Sequence, residues 1–436
     1  MQEEPTVESF VIEGIKQTGA GVFRSVKGIG DKRKIRKIYC HQLVIAYENL
    51  SFAGVSCAYD QNPIKIRDIF ITLQASRRVP VVDVLAEAAE RLEPEDERRL
   101  PRDVRIRESV EELSVVEALR DNHRMVVLGA PGSGKTTFMR YLALTFARKL
   151  SGDRLKLDED RLPILITVQN IVDDLLKDDK TIADVLSKHV NSELQMDLPD
   201  DYFTSYLEKG ECIVLFDGLD EVADVTQRGQ VAEKVRRFAN RYNENRYMVT
   251  SRIAGYREIQ RLPESDFKHF TIRDFDDDQI RDFARKWYQA RYPSETKKRT
   301  DDLIQAIGRS AKVRQLAVNP LMLTIIAVVH RSSAELPNER IKLYDLCTEA
   351  LLFSWQRERG RPSLTDASGS LIRDTEVRRR LEQLAYWMHG QKPKEAGGQM
   401  HVRYNQLWSK LAEQLVQRKK MDQDDAEDES KHLRQS

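Results

Sequence analysis

The chain has 436 residues, 40% of them hydrophobic and 32% charged, with a net charge of +1. That length predicts about two to four domains, and the near-neutral balance excludes a global field directed at nucleic acid or anionic lipid. Cys40, Cys57, Cys212 and Cys347 show no CxxC spacing, which argues against a disulfide framework or a zinc site and fits a reducing cytosol.

The N-terminal "MQEEPTVESF" is acidic and has no basic n-region, so no signal peptide is expected. No run approaches about eighteen apolar residues, so no membrane-spanning helix is expected and the predicted location is cytoplasmic. Residues 10–26 are mildly amphipathic but broken by glycines, a weak basis for a membrane helix. Residues 27–37, "KGIGDKRKIRK", are locally basic; a solvated helix face explains them better than a nucleic-acid contact. "IKIRDIFITL", residues 64–73, alternates like a half-buried strand. Residues 86–108 read as a helical connector, and 1–108 as a prefix without a recognisable effector.

From residue 124 the texture changes. "RMVVLG", "LPILITV", "CIVLFD", "RYMVTS" and "KHFTI" are short apolar runs separated by helix-like stretches. Such alternation predicts a parallel sheet covered on both faces, so the fold class is α/β over 109–270. The pattern then turns helical. "FDDDQIRDFARKWY" opens with aspartates suited to a helix N-terminus, and Ile280, Phe283, Ala284, Trp287 and Tyr288 share one face. "NPLMLTIIAVVH" looks buried all round and lies within a helical domain over 271–358. Leu381, Leu384, Ala385 and Met388 mark another helix face, and a further amphipathic helix is expected at 404–417. Residues 359–436 end in a charged tail.

"GAPGSGKTT" satisfies the phosphate-loop pattern. Gly129, Ala130, Pro131, Gly132, Ser133, Gly134, Lys135, Thr136 and Thr137 would surround a nucleotide's phosphates. Gly132 and Gly134 let backbone N–H groups turn inward where a Cβ would clash. Lys135 places a charge against the β- and γ-phosphates, and the Thr136 hydroxyl ligates Mg²⁺. The strand before and the helix after are the required context. "CIVLFDGLDE" puts Asp217 at a strand's C-terminal end, suited to the Mg²⁺ shell. Asp220 or Glu221 then orients or deprotonates the attacking water. "YMVTSRIAGY" delivers Thr250, Ser251 and Arg252 to the same sheet edge, where Arg252 could sense the γ-phosphate or stabilise transition-state charge.

Together these motifs resemble the NACHT family of STAND-type signalling NTPases, especially bacterial members. "DFDDDQIRDFARKWY", "NPLMLTIIAVVH" and "LPNERIKLYDLCTEALLFSW" extend the likeness over residues 110–360. The resemblance implies a P-loop NTPase core, a helical domain and a winged helix. It implies ATP or ADP with Mg²⁺ as ligands, and Pro320 near the adenine. It also implies slow, regulatory ATP hydrolysis, opening and self-association on ATP binding, an effector and trigger of unknown identity, and defence against phage. The family's winged-helix "F-x-H-x-x-F-x-E" segment does not occur before Ser436, so the resemblance implies a partial winged helix and a truncated chain. An AAA+-type motor is the first alternative; Arg252 at the sensor position, where that class usually has asparagine, disfavours it. A nucleotide-bound scaffold without turnover is the second. A small-molecule kinase lacks an identifiable acceptor pocket, and no NKxD motif supports a GTPase.

Overall fold

The computed structural model describes residues 15–18, 21–24, 26, 30–50, 64–81, 107–177, 180–222, 224–257, 262–332 and 374–390, with the single residues 342, 345, 348 and 410. Strands β1 (Ile15–Thr18) and β2 (Gly21–Arg24) form an antiparallel hairpin, so these eight residues are strand rather than part of a membrane helix; the rest of 10–26, apart from Val26, lies outside the described residues.

The main sheet has seven strands. These are β3 (Gln74–Val81), β4 (Arg107–Ser114), β5 (Arg124–Leu128), β6 (Leu162–Thr167), β7 (Cys212–Asp217), β8 (Arg246–Ser251) and β9 (Lys268–Ile272), in the order β4-β3-β9-β5-β8-β7-β6. The five strands from β9 to β6 are parallel. Every residue of β7 and β8 is buried, as a parallel sheet covered on both faces requires. Strand β8 lies between β5 and β7, so the phosphate loop and Asp217 project from the same edge two strands apart.

The expected strand at 64–73 is instead a helical turn, Ile66–Ile69, followed by extended chain. Ile64, Ile66, Ile69, Ile71 and Leu73 are all buried, but the step from 66 to 69 is three residues. Inserting Arg67 and Asp68 breaks the period of two and closes one turn of helix. The strand is the next segment, β3, which pairs antiparallel with β4 along its length and with β9 only at Ala75 and Ser76. Pro80, which has no N–H to donate, lies beyond that interior pairing. The expected connector at 86–108 lies outside the described residues except for Arg107 and Glu108, which open β4. The sheet thus runs continuously across the 108/109 position, with β3 and β4 extending the parallel core.

Helix Lys135–Ala147 packs on β6, and helix Lys32–Tyr47 packs on that helix in turn. At the start of β8, Arg246 is 3% exposed and donates to both Glu159 carboxylate oxygens at 2.8 Å and to the Leu119 carbonyl at 2.7 Å. Arg161 adds a second guanidinium on Glu159. These partners hold the Glu159 carboxyl at about 2, the Arg246 hydrogen bonds being the largest cause. A depressed carboxyl contributes stability above its unfolded value, near 4.3, that is lost as pH falls toward the folded one. Glu159→Gln is therefore expected to destabilise the fold by about 3 kcal/mol at neutral pH, because it leaves a buried cation short of its counter-ion. In denaturant titrations, the acid-side loss of stability between about pH 5 and 2 should also flatten in the variant; an unchanged slope would assign that loss to other carboxylates.

After β9 the chain is helical: Asp277–Arg291, Thr296–Gly308, Ala311–Ala317 and Pro320–Ser332. Asp276 caps the first of these and exchanges hydrogen bonds with Gln279 in a capping box, while Asp277 and Asp278 occupy the first turn, as the aspartate run predicts. The expected apolar face is buried at Ile280, Phe283, Ala284, Trp287 and Tyr288. Helix Pro320–Ser332 is buried from Leu323 to Ala327, but Leu321 is 37% exposed, so its first turn is open rather than buried all round. In helix Asp374–Gly390, Leu384 is buried and Leu381 is exposed. That departs from a single apolar face. Apart from Lys410, the amphipathic helix expected at 404–417 lies outside the described residues. No described helix is long and apolar enough to cross a membrane.

Candidate nucleotide site

The loop after β5 makes a left-handed turn at Gly132, with φ of 75°, and again at Gly134, with φ of 91°. Gly134 then caps helix Lys135–Ala147. Both conformations disfavour any residue with a Cβ. A Cβ on Gly132 would stand 2.8 Å from Asn319 Oδ1 and 2.8 Å from Leu321 Cβ, so the loop lies directly against the helical domain. The Lys135 ammonium donates to the carbonyls of Gly129 and Ala130 at 2.9 Å and to Ser133 Oγ at 3.4 Å. Burial lowers its pKa, opposed by the negative charges of Asp220, Asp217 and Glu221.

Asp217 ends β7, buried, and its Oδ1 accepts a 2.6 Å hydrogen bond from the Thr250 hydroxyl of β8. The same hydroxyl accepts from the Gly218 N–H at 2.9 Å. Thr250 thereby fixes both the carboxylate and the turn after it. The sequence delivered Thr250 to this edge but gave it no task, because only the strand order shows that β8 is the neighbour of β7.

The paired acids are separated by their partners. Asp220 accepts from the Arg252 backbone N–H at 2.7 Å and pairs with its guanidinium at 3.1 Å. Glu221, at the cleft's rim, carries a pKa raised by loss of hydration and then by the negative charges of Asp217 and Asp220. Gly218 has a φ of 78°, and a Cβ there would stand 2.9 Å from Glu221 Cδ; the glycine keeps Glu221 in place. Buried Arg228 spans the two loops, donating to the Val222 carbonyl at 2.8 and 3.0 Å and to the Gly255 carbonyl at 3.0 Å. Arg228 was not a candidate from sequence, where it is one of several arginines on a polar helix.

The cleft has a volume of about 390 Å³. Its polar lining comprises the phosphate loop with Lys135, Thr136 and Thr137, then Asp217, Asp220, Glu221 and Arg252. Its apolar lining comprises Leu50, Ile69, Phe70, Leu73, Phe275 and Pro320. The segment around Phe70 was missed as part of the site. It is fixed by stacking of Phe70 on Tyr141, with ring centroids 3.7 Å apart, and by hydrogen bonds from Lys286 to the Phe70 carbonyl and from Gln279 to the Thr72 carbonyl. Asn319 was also missed. Its side chain donates to the Pro131 carbonyl at 2.9 Å and accepts from Leu321 and Met322, and Leu321 N–H reaches the Gly132 carbonyl at 3.1 Å. An "Asn-Pro" pair before an apolar run is a helix-start signal that could have found it.

These features suit a nucleoside polyphosphate: apolar lining for a base, glycines that admit phosphate close to backbone N–H groups, and a lysine. The Thr136 hydroxyl and Asp217 carboxylate suit Mg²⁺, which takes one or two protein ligands and completes its shell with phosphate oxygens and water. Gly132→Ala tests the close approach. It should lower stability by about 1–2 kcal/mol through backbone strain, and calorimetric titration should show weakened ATP binding. Wild-type affinity would mean that the loop can leave Asn319 without consequence.

No curated protein matches the chain. Residues 123–291 match the family model of the NACHT domain, a span that runs from the residue before β5 through helix Asp277–Arg291 and includes all five parallel strands. This protein therefore carries a NACHT domain, a nucleotide-binding NTPase domain of the switch type.

Proposed function

We propose that the protein is an ATP-dependent switch in which slow hydrolysis resets the position of the helical domain. The observation that carries this reading is the direct bonding of Asn319 and Leu321 to the carbonyls of Pro131 and Gly132. A change in the phosphate loop is thereby transmitted to helix Pro320–Ser332 without an intermediary. Lys135 and the loop N–H groups hold the β- and γ-phosphates, and Pro320 flanks the adenine. Thr136 and Asp217 hold Mg²⁺, which neutralises developing phosphate charge when bound. Glu221 takes the proton of the attacking water. Arg252 faces the γ-phosphate with its backbone and guanidinium steadied by Asp220. The family likeness extends the reading to ATP-driven self-association and to bacterial defence against phage, with trigger and effector of unknown identity.

The reading is tested by size measurement and hydrogen exchange with ADP and with a non-hydrolysable ATP analogue. Exchange in residues 320–332 should rise with the analogue, and the mass should shift to an oligomer. Identical exchange and mass in both states, with turnover intact, would favour a continuously cycling motor; no turnover at all would favour a scaffold.

A further inference from the structure

A second cleft, of about 580 Å³, lies at the far end of the phosphate-loop helix. It is lined by Arg33, Arg36 and Lys37 of helix Lys32–Tyr47, by Arg148 and Lys149 after helix Lys135–Ala147, and by Asp160. Val44, Phe146 and Ala147 form an apolar wall. The helix carrying Lys135 is about 20 Å long at 1.5 Å per residue, so this cleft is separate from the nucleotide site.

Three local choices here run against ordinary preference. Beyond its Asp31 N-cap, which accepts from the Arg33 N–H, the first turn of helix Lys32–Tyr47 contains no acidic residue; it places cations near the positive end of the helix dipole, where carboxylates are favoured. Lys149 has a φ of 57°. It occupies the left-handed position of a Schellman cap, with Leu150 N–H bonded to the Thr145 carbonyl and Lys149 N–H to the Phe146 carbonyl, a place usually taken by glycine. Finally, the cations outnumber their counter-ions. Asp160 serves both Arg36 at 2.7 Å and Lys149 at 2.9 Å, and Glu48 takes Arg148 at 2.6 Å. Arg33 and Lys37 have no carboxylate partner among the described residues. Positions that break local rules together, around one concavity, mark a binding site rather than a folding solution.

We propose that this cleft binds a small anion bearing several phosphates. Cations gathered around one half-open cleft favour such a ligand over an extended nucleic-acid strand, which needs a stripe of cations along a surface. The inference does not depend on the nucleotide reading of the phosphate loop.

The probe is tripolyphosphate, titrated calorimetrically into the full chain without Mg²⁺. Lys135→Ala is the reference, since it removes the main cation of the phosphate loop. The expected result is one tripolyphosphate per Lys135→Ala chain, and binding weakened about tenfold or more when Arg33→Glu and Lys37→Glu are added. Both residues are exposed, and unchanged circular dichroism with intact ATP binding in the Arg33→Glu/Lys37→Glu protein controls for folding. Raising salt from about 0.05 to 0.5 M should also weaken the binding severalfold. If Lys135→Ala binds none, or binds equally well with the two glutamates, the proposal is overturned. Tighter binding of a twelve-nucleotide single strand than of tripolyphosphate would overturn it in favour of a nucleic-acid surface. Loss of ATP binding at the first site would leave the tripolyphosphate result unaffected.

Discussion

Lys135→Ala is expected to weaken Mg-ATP binding by about a hundredfold, near 3 kcal/mol, the size of lost charge-assisted hydrogen bonds to phosphate. The lysine is half-buried between the loop carbonyls and the acids at and after the end of β7, so no neighbouring cation is placed to substitute. Arg252, the nearest, is paired to Asp220 at 3.1 Å. The alanine also removes the ammonium's bonds to Gly129 and Ala130. Lys135→Arg therefore serves as the companion, keeping the charge while changing its shape. Calorimetric titration of both variants should give partial recovery with arginine. Wild-type affinity in the alanine variant would remove the phosphate loop from the nucleotide site.

Glu221→Gln is expected to leave ATP affinity within about twofold and to slow hydrolysis by 10²–10⁴-fold, the usual contribution of a general base, to order of magnitude. The reason for choosing Glu221 over Asp220 is structural. Both Asp220 oxygens are committed to Arg252, whereas Glu221 faces the cleft beside Gly218. The raised pKa gives the sign of the pH dependence. A base acts only when ionised, so turnover should fall as pH drops through a value above the ordinary carboxylate range, and this acid limb should vanish in Glu221→Gln. Asp220→Asn should instead loosen Arg252 and change the response to the γ-phosphate. Equal loss of rate in both variants, with the acid limb retained in Glu221→Gln, would transfer the base role away from Glu221.

Much of this was legible in the sequence because each piece is local. Five apolar runs each became a parallel strand, since continuous burial on both faces leaves little alternative. "GAPGSGKTT" fixes its own geometry through Gly132 and Gly134, and the acids after "CIVLF" follow a strand whose end is set by its last buried residue. What stayed hidden depends on residues far apart in the chain. The hydroxyl of Thr250 acquires its partner only when β8 inserts between β5 and β7. Phe70 reaches the cleft because Tyr141 and Lys286 hold its segment, 71 and 216 positions away respectively. Period-2 alternation misread 64–73 because burial of Ile64, Ile66, Ile69, Ile71 and Leu73 is shared between a helical turn and extended chain. Between Asp220 and Glu221 the sequence offered no choice, because the distinction lies in the Arg252 contacts.

The most direct test of the switch is to identify the nucleotide released when the purified protein is denatured, by chromatography and mass spectrometry. Close to one ADP or ATP per chain is expected, and its loss in Lys135→Ala. Protein that is empty as purified and binds neither added ATP nor ADP would contradict it.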